Sequence, residues 1–288
     1  MKSLEDINCT FPSSLNEALT LLADEKTRGR LLAGGTDLMV QWASSLSPIP
    51  ERVISVFGLP ELCGITETEQ DVLVGAAVTH ADLRNSPVVR KYLPALAAAA
   101  ATIGGTQIQV RGTIAGNVAN ASPAGDLAPA LLVTDGFVVL ASVSGERLVE
   151  LTRFFLGYRK VDLRPDELIV RFVLPKLPKG ARESFRKLGP RAAQAISKVM
   201  GSCRCRLEFG IVRQCAISIG SVAPVPVRLW ELERWLAGKK LDEEVISEAE
   251  KRAAATVKPI DDIRSTAEYR QWVSGRLVRG FLEDMTSQ

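Results

Sequence analysis

A single histidine, His80, is all the imidazole this 288-residue chain contains. That leaves too little for a His-centred triad, a His-rich zinc site or histidine ligation of haem. The five cysteines are odd in number and irregularly spaced, so neither a disulfide framework nor a cysteine-rich iron-sulfur centre is expected, and free thiols fit a reducing compartment. Long apolar runs are absent too. The most apolar stretch, Leu93 to Ile103, is Ala-rich and too short to span a bilayer. Met1 to Ala18 carries three acids and one lysine without an apolar run, unlike a secretory signal, so a cytoplasmic protein with no membrane span is expected. Charge of one sign is also missing: 36 basic and 33 acidic residues are interspersed, without the Lys/Arg stripe of a nucleic-acid partner. No pair of carboxylates stands out for acid-base work. Asp162, Asp166 and Glu167 surround Arg164-Pro165 and read as a solvated turn.

What is present is an ordinary globular composition, 46% hydrophobic and 24% charged, long enough for two or three compact units. Ser13 or Ser14 can cap a helix running to Ala23. Arg30 to Ala33 reads as a strand stopping at Gly34-Gly35, a helical stretch follows from Leu38 to Trp42, and Arg52 to Val56 reads as a further strand. This small βαβ-like unit sets a first domain of residues 1–57. A second, α+β unit of residues 58–175 opens with paired strands, Gly64 to Thr68 and Asp71 to Ala76, around a polar turn. Thr79 and Asp82 have capping-box spacing, which gives His80 the first position of a helix. The unit continues with an Ala-rich helix, Pro94 to Ala101, then helix Leu127 to Val133, strand Gly136 to Ser142 and strand Asp166 to Leu174. After the linker Pro175 to Gly180, strands at Glu183 to Leu188, Arg204 to Phe209 and Ile211 to Val222 and helices at Arg228 to Ala237, Glu243 to Ala255 and Ala267 to Glu283 define a third, α+β unit, residues 181–288.

Chemistry-bearing signals concentrate in two glycine loops. Ala33-Gly34-Gly35-Thr36-Asp37 joins a strand to a helix, where backbone amides can converge on an anion and Thr36 adds a hydroxyl. Thr113-Ile114-Ala115-Gly116-Asn117 leads into Asn120-Ala-Ser-Pro-Ala-Gly-Asp126, which adds side-chain donors and a carboxylate. One such turn is ordinarily just a turn. Two, both rich in small polar residues, point to a dinucleotide site. Neither is G-x-G-x-x-G or G-x-x-x-x-G-K-[ST], so the Rossmann fingerprint and the P-loop are both missing.

These motifs, with Asn120 through Pro129, resemble the flavoprotein subunit of the xanthine dehydrogenase and carbon monoxide dehydrogenase family. The resemblance continues through Arg186-Lys-Leu-Gly-Pro-Arg191, Ala195 to Val199, Gly220 to Arg228 and Asp262 to Arg270. It implies a two-subdomain FAD-binding fold of the vanillyl-alcohol oxidase (PCMH) type followed by a small α+β carboxy-terminal domain. It implies FAD in this chain, a molybdopterin-binding large subunit and an iron-sulfur small subunit as partners, and electron transfer to NAD or another acceptor. Residue by residue, it implies that Leu31, Leu32, Ala33, Gly34, Gly35, Thr36, Asp37 and Leu38 line the pyrophosphate and that Ile103 packs on the cofactor. Thr113, Ile114, Ala115, Gly116 and Asn117 would hold phosphate and ribitol, Asp126 the adenosine part, Ile169 the adenine side, and Lys187 would approach the flavin. Ala115 departs from the family's more common glycine, and Cys203-Arg204-Cys205 replaces small apolar residues; the pair reads as alternating strand positions, since a lone C-x-C lacks the other ligands of a metal site. A self-contained flavin oxidoreductase and a non-redox nucleotide-binding scaffold stay open as alternatives. The first should bring its own base to the flavin, and the second should take up ADP but refuse FAD.

Overall fold

The structure is a computed structural model that describes residues 4–286, without the side chain of Glu5; Met1–Ser3 and Ser287–Gln288, the outer ends of the expected first and third domains, lie outside the described residues. The chain opens with β1 (Asn8–Thr10), α1 (Leu15–Ala23), β2 (Arg30–Leu32), α2 (Leu38–Ala43) and β3 (Arg52–Ser55). Ser14 caps α1 by accepting from the Glu17 amide, and Ala18, Leu19 and Leu22 form its buried face. The three strands form a parallel sheet in the order β1-β3-β2, so β2 delivers the Gly34-Gly35 turn beside α2.

The middle of the chain holds a five-stranded antiparallel sheet in the order β4-β5-β10-β6-β7, built from β4 (Ile65–Glu67), β5 (Asp71–Gly75), β6 (Phe137–Ser142), β7 (Gly145–Glu150) and β10 (Leu168–Pro175). Its helices are α3 (His80–Asn85), α4 (Pro87–Tyr92), α5 (Pro94–Ala101), α6 (Thr106–Gln109), α7 (Ile114–Asn120), α8 (Leu127–Leu132) and α9 (Leu151–Phe154), with a small hairpin of β8 (Phe155–Gly157) and β9 (Lys160–Val161). The capping box at α3 is formed: Thr79 accepts from the Asp82 amide at 3.1 Å while Asp82 accepts from the Thr79 amide at 3.0 Å. α5 is apolar all round and is enclosed accordingly, with Ala95, Leu96, Ala97, Ala99 and Ala100 buried. One continuous core runs from Ala18 and Ile54 of the first unit to Phe172 and Leu174 of the second.

The last part is an antiparallel sheet, β11 (Ala181–Leu188), β12 (Val199–Glu208), β13 (Ile211–Gly220) and β14 (Val227–Arg228), covered by α10 (Trp230–Leu236), α11 (Glu243–Thr256) and α12 (Ala267–Thr286) around a second core. β12 starts at Val199, five residues before the expected Arg204. Met-Gly-Ser-Cys has little strand propensity of its own. Full-length pairing of Leu188 through Ala181 with Val199 through Arg206, and burial of Val199 through Cys205, override it. Cys203 and Cys205 are alternate positions of this strand, and Cys215 lies opposite Cys205.

The two cores are fastened by charged side chains that end on backbone groups. Arg228 donates to the Leu132 carbonyl at the end of α8 (2.7 Å) and to Asp135 (2.6 Å). Arg204 donates to Glu183 and to the Pro175 carbonyl. From β11, Glu183 accepts from the Ala95 amide at the start of α5, and Lys187 donates to the Thr102 carbonyl at its end. Each charge complements the helix end that it meets.

Candidate cofactor-binding site

Between the first sheet, the α6–α7 region and the β8–β9 hairpin lies a cleft of about 790 Å³, within the range of roughly 300–1,000 Å³ usual for small-molecule sites. Gly34 makes the cleft possible. A Cβ there would overlap the Arg111 carbonyl, so only glycine lets the β2 turn pack on the lead-in to α7. Gly35 takes φ +74°, which turns the chain into α2. The two glycine segments, eighty residues apart in the chain, thereby become neighbouring walls of one cleft.

Of the expected site residues, Leu31, Ala33, Gly34, Gly35, Thr36, Asp37, Leu38, Ile103, Thr113, Ala115, Gly116, Asn117 and Ile169 line this cleft. Leu32 is not on its lining, and Ile114 is fully buried in the core, where its side chain packs among apolar neighbours. The second segment is not a loop as the sequence suggested. Thr113 accepts from the Gly116 amide and caps α7, so Ile114 to Asn117 form its first turn.

Asp126 and Lys187 lie elsewhere, at the seam between the two cores. The Lys187 ammonium and the Asp126 carboxylate are 2.5 Å apart, with side-chain exposures of 10% and 7%. Asp126 also accepts from Ser197 Oγ at 2.6 Å and Thr102 Oγ1 at 3.3 Å. Burial pushes its carboxyl above the ordinary range, while Lys187, Ser197 and Thr102 act in the opposite direction. The adenosine role expected for Asp126 and the flavin role expected for Lys187 thus fall on one contact pair. A second cavity of about 430 Å³ opens beside Lys187, lined also by Thr102, Gly189 and Arg191. Thr102 is adjacent in sequence to Ile103 of the main cleft.

Several residues of the cleft were not anticipated. Arg159, Lys160 and Arg164 bring positive charge to its wall, and the adjacent Arg159-Lys160 pair in a turn was a readable signal. Glu167 was expected on a solvated turn, but its side chain is only 4% exposed. It accepts from Arg147 at 2.6 and 2.8 Å and from the Arg164 amide at 2.8 Å, and the Arg147 contact holds its carboxyl below the usual range. Arg147 comes from β7, twenty residues away, which no local pattern could disclose. The other basic residues near Lys187 are satisfied internally: Arg186 pairs with Asp284, and Arg191 folds onto the carbonyls of Ala193 and Gln194. His80 does open α3 as expected, and it also lines the cleft.

A cleft with glycine walls, threonine hydroxyls, cationic side chains and an apolar far end fits a dinucleotide. Residues 5–177 match the family described as the FAD binding domain in molybdopterin dehydrogenase, and residues 184–285 match the CO dehydrogenase flavoprotein C-terminal domain. The chain belongs to the FAD-binding medium subunits of the xanthine dehydrogenase and carbon monoxide dehydrogenase family. The xanthine dehydrogenase FAD-binding subunit of Escherichia coli O157:H7 is 32% identical to it over 260 residues, covering 90% of this chain and 88% of that one. The nicotine 6-hydroxylase medium subunit of Paenarthrobacter nicotinovorans is 31% identical over 278 residues, 96% of each. A solved carbon monoxide dehydrogenase from Hydrogenophaga pseudoflava, described as lacking the Mo-pyranopterin moiety of the molybdenum cofactor, superposes with a TM-score of 0.92 at 31% identity over 96% of each chain. Members of this family are oxidoreductase subunits, and FAD is the cofactor of the matched domain. No helix among the described residues is long and apolar enough to cross a membrane.

Proposed function

We propose that this chain is the electron-relaying FAD subunit of a cytoplasmic molybdenum hydroxylase complex. In this reading it works beside a molybdopterin-binding large subunit and an iron-sulfur small subunit, and passes electrons to NAD or another acceptor. The observation that carries the reading is the single cleft shared by the Gly34-Gly35 turn and the first turn of α7. Bound FAD supplies the redox chemistry, and the protein supplies position and electrostatics. Amides at Gly35 and Thr36, with the hydroxyl of Thr36, would hold the pyrophosphate beside Gly116 and Asn117, and Arg159 and Lys160 would offset its charge. Ile169 would pack on the adenine side. Ile103 would carry the other end toward the seam, where Lys187 and Asp126 together would meet the flavin. The relatives' names cover xanthine, nicotine and carbon monoxide on one medium-subunit fold, which supports placing substrate choice in the molybdenum partner.

The test is a visible absorption titration of the purified chain with FAD, alongside Asn117→Asp. This isosteric change sets a carboxylate beside the expected phosphate without altering packing. Flavin bands should be retained by the wild type, and the variant's Kd should rise at least about tenfold, the effect of roughly 1.4 kcal/mol of repulsion. Equal retention by both proteins would remove the pyrophosphate from this wall. Anaerobic NADH should then bleach the bound flavin if NAD is the acceptor, and leave it oxidised if the acceptor is another molecule.

A further inference from the structure

We propose that His80 is a positioning residue for the cofactor, its ring N–H donating one hydrogen bond to an oxygen of the bound dinucleotide. This rests on the FAD reading above. A residue that merely opens a helix needs no particular side chain, yet this one is held from two sides. The capping box of Thr79 and Asp82 fixes its backbone, and its own amide donates to the Gly112 carbonyl at 3.0 Å, next to the Thr79–Thr113 bridge that ties α3 to the capping residue of α7. Its ring lies against Gly112 so closely that a Cβ there would stand 2.9 Å from Cδ2 and 3.0 Å from Nε2. The imidazole is thus clamped on the segment that leads into Thr113, and it borders the cleft while being only 3% exposed.

Its polar capacity is unused. Neither ring nitrogen has a hydrogen-bond partner among the described residues, and Nδ1 is wholly enclosed. Buried polar atoms are nearly always paired, and one left unpaired carries a standing cost. Burial also pushes the imidazole down to about 4, so at neutral pH the ring is uncharged, with one N–H to give and no charge to desolvate. With Nδ1 enclosed, the N–H that can reach a ligand is the one on Nε2. The neighbouring walls, Gly34-Gly35 and Gly116-Asn117, are those assigned to phosphate and ribitol oxygens.

The experiment compares the full-length wild type with His80→Leu and His80→Gln by FAD titration and by urea unfolding of the FAD-free proteins at neutral pH. His80→Leu should weaken FAD binding about tenfold, as expected for one hydrogen bond to a charged or strongly polar oxygen. The FAD-free form should be no less stable than the wild type, because an enclosed unpaired nitrogen has been removed. His80→Gln, which restores an N–H, should bind within about threefold of the wild type. Unchanged affinity in His80→Leu would overturn the proposal, and so would weakened binding that appears only together with a loss of FAD-free stability, the mark of a purely structural role. If the wild type itself took up no FAD, the proposed function would fail and this inference with it.

Discussion

Lys187→Met isolates the chemistry of the seam. The substitution keeps the length of the side chain and removes its charge, leaving the Asp126 carboxylate, 7% exposed, with only the Ser197 and Thr102 hydroxyls as donors. Stripping one partner from a buried ion pair costs about 3–5 kcal/mol, because the remaining charge stays desolvated. The loss of the bond to the Thr102 carbonyl adds about 1 kcal/mol. Urea unfolding at neutral pH should register a deficit of about 5 kcal/mol against the wild type. The pH dependence tests the cause. Burial already raises the Asp126 carboxyl above 3.8, and removing Lys187 takes away a charge that opposes the shift. A carboxyl with a raised folded pKa binds its proton more tightly folded than unfolded. Its cost is therefore full above the folded pKa, falls as the pH drops through that value and is gone below 3.8. The deficit of Lys187→Met should accordingly shrink on acidification from neutral pH, and Asp126→Asn in the same background should restore most of it at pH 7. A deficit that stayed constant with pH, or a double variant as unstable as the single, would refute a desolvated carboxylate as the cause.

Two further outcomes follow from buried groups. The FAD-free wild type should lose stability on acidification through His80: burial alone holds the folded imidazole at about 4 against 6.5, so the unfolded chain takes up the proton first and folded stability drains away between those values. At about 1.4 kcal/mol per tenfold in proton affinity the loss approaches about 3 kcal/mol, and the difference between wild-type and His80→Leu urea curves across pH 7 to 4 should follow it; a flat difference would dispose of the assignment. Among the cysteines, Cys63 is exposed and should react promptly with a thiol reagent. Cys203 and Cys205, both buried, with the Cys205 thiol raised by its contact with Cys215 and by burial, should react only on unfolding, as the time course of labelling with and without urea will show.

Most devices that operate within four residues were readable in the chain. Thr79 and Asp82 announced their capping box, Ser14 its helix and Gly34-Gly35 the turn on which the cleft is built. The resemblance of the glycine segments to a known flavoprotein family supplied the cofactor, which no spacing rule provides. Most of what escaped was fixed by strands meeting at a distance. Arg147 reaches Glu167 only because β7 and β10 flank β6, and that contact turns an apparently solvated acid into a buried one. Asp126 and Lys187 are 61 residues apart, and their meeting depends on how β11 lies across α5. Thr113 to Asn117 was misjudged as loop because Gly116 resembles a loop residue, whereas its amide is the donor that Thr113 caps.

The bracketing of α5 makes β11 a gauge. Glu183 and Lys187 are four residues apart on an extended strand, about 13 Å, and the eight-residue helix whose two ends they touch is about 12 Å long. Extended and helical geometry agree at this one spacing. One residue inserted between Glu183 and Lys187 would send the latter to the opposite face of the sheet, and one residue added to α5 would carry its end past the lysine. Exchange of carboxy-terminal domains between relatives should therefore succeed only where both lengths are preserved, which makes this pair of intervals a unit of inheritance that crosses the domain boundary.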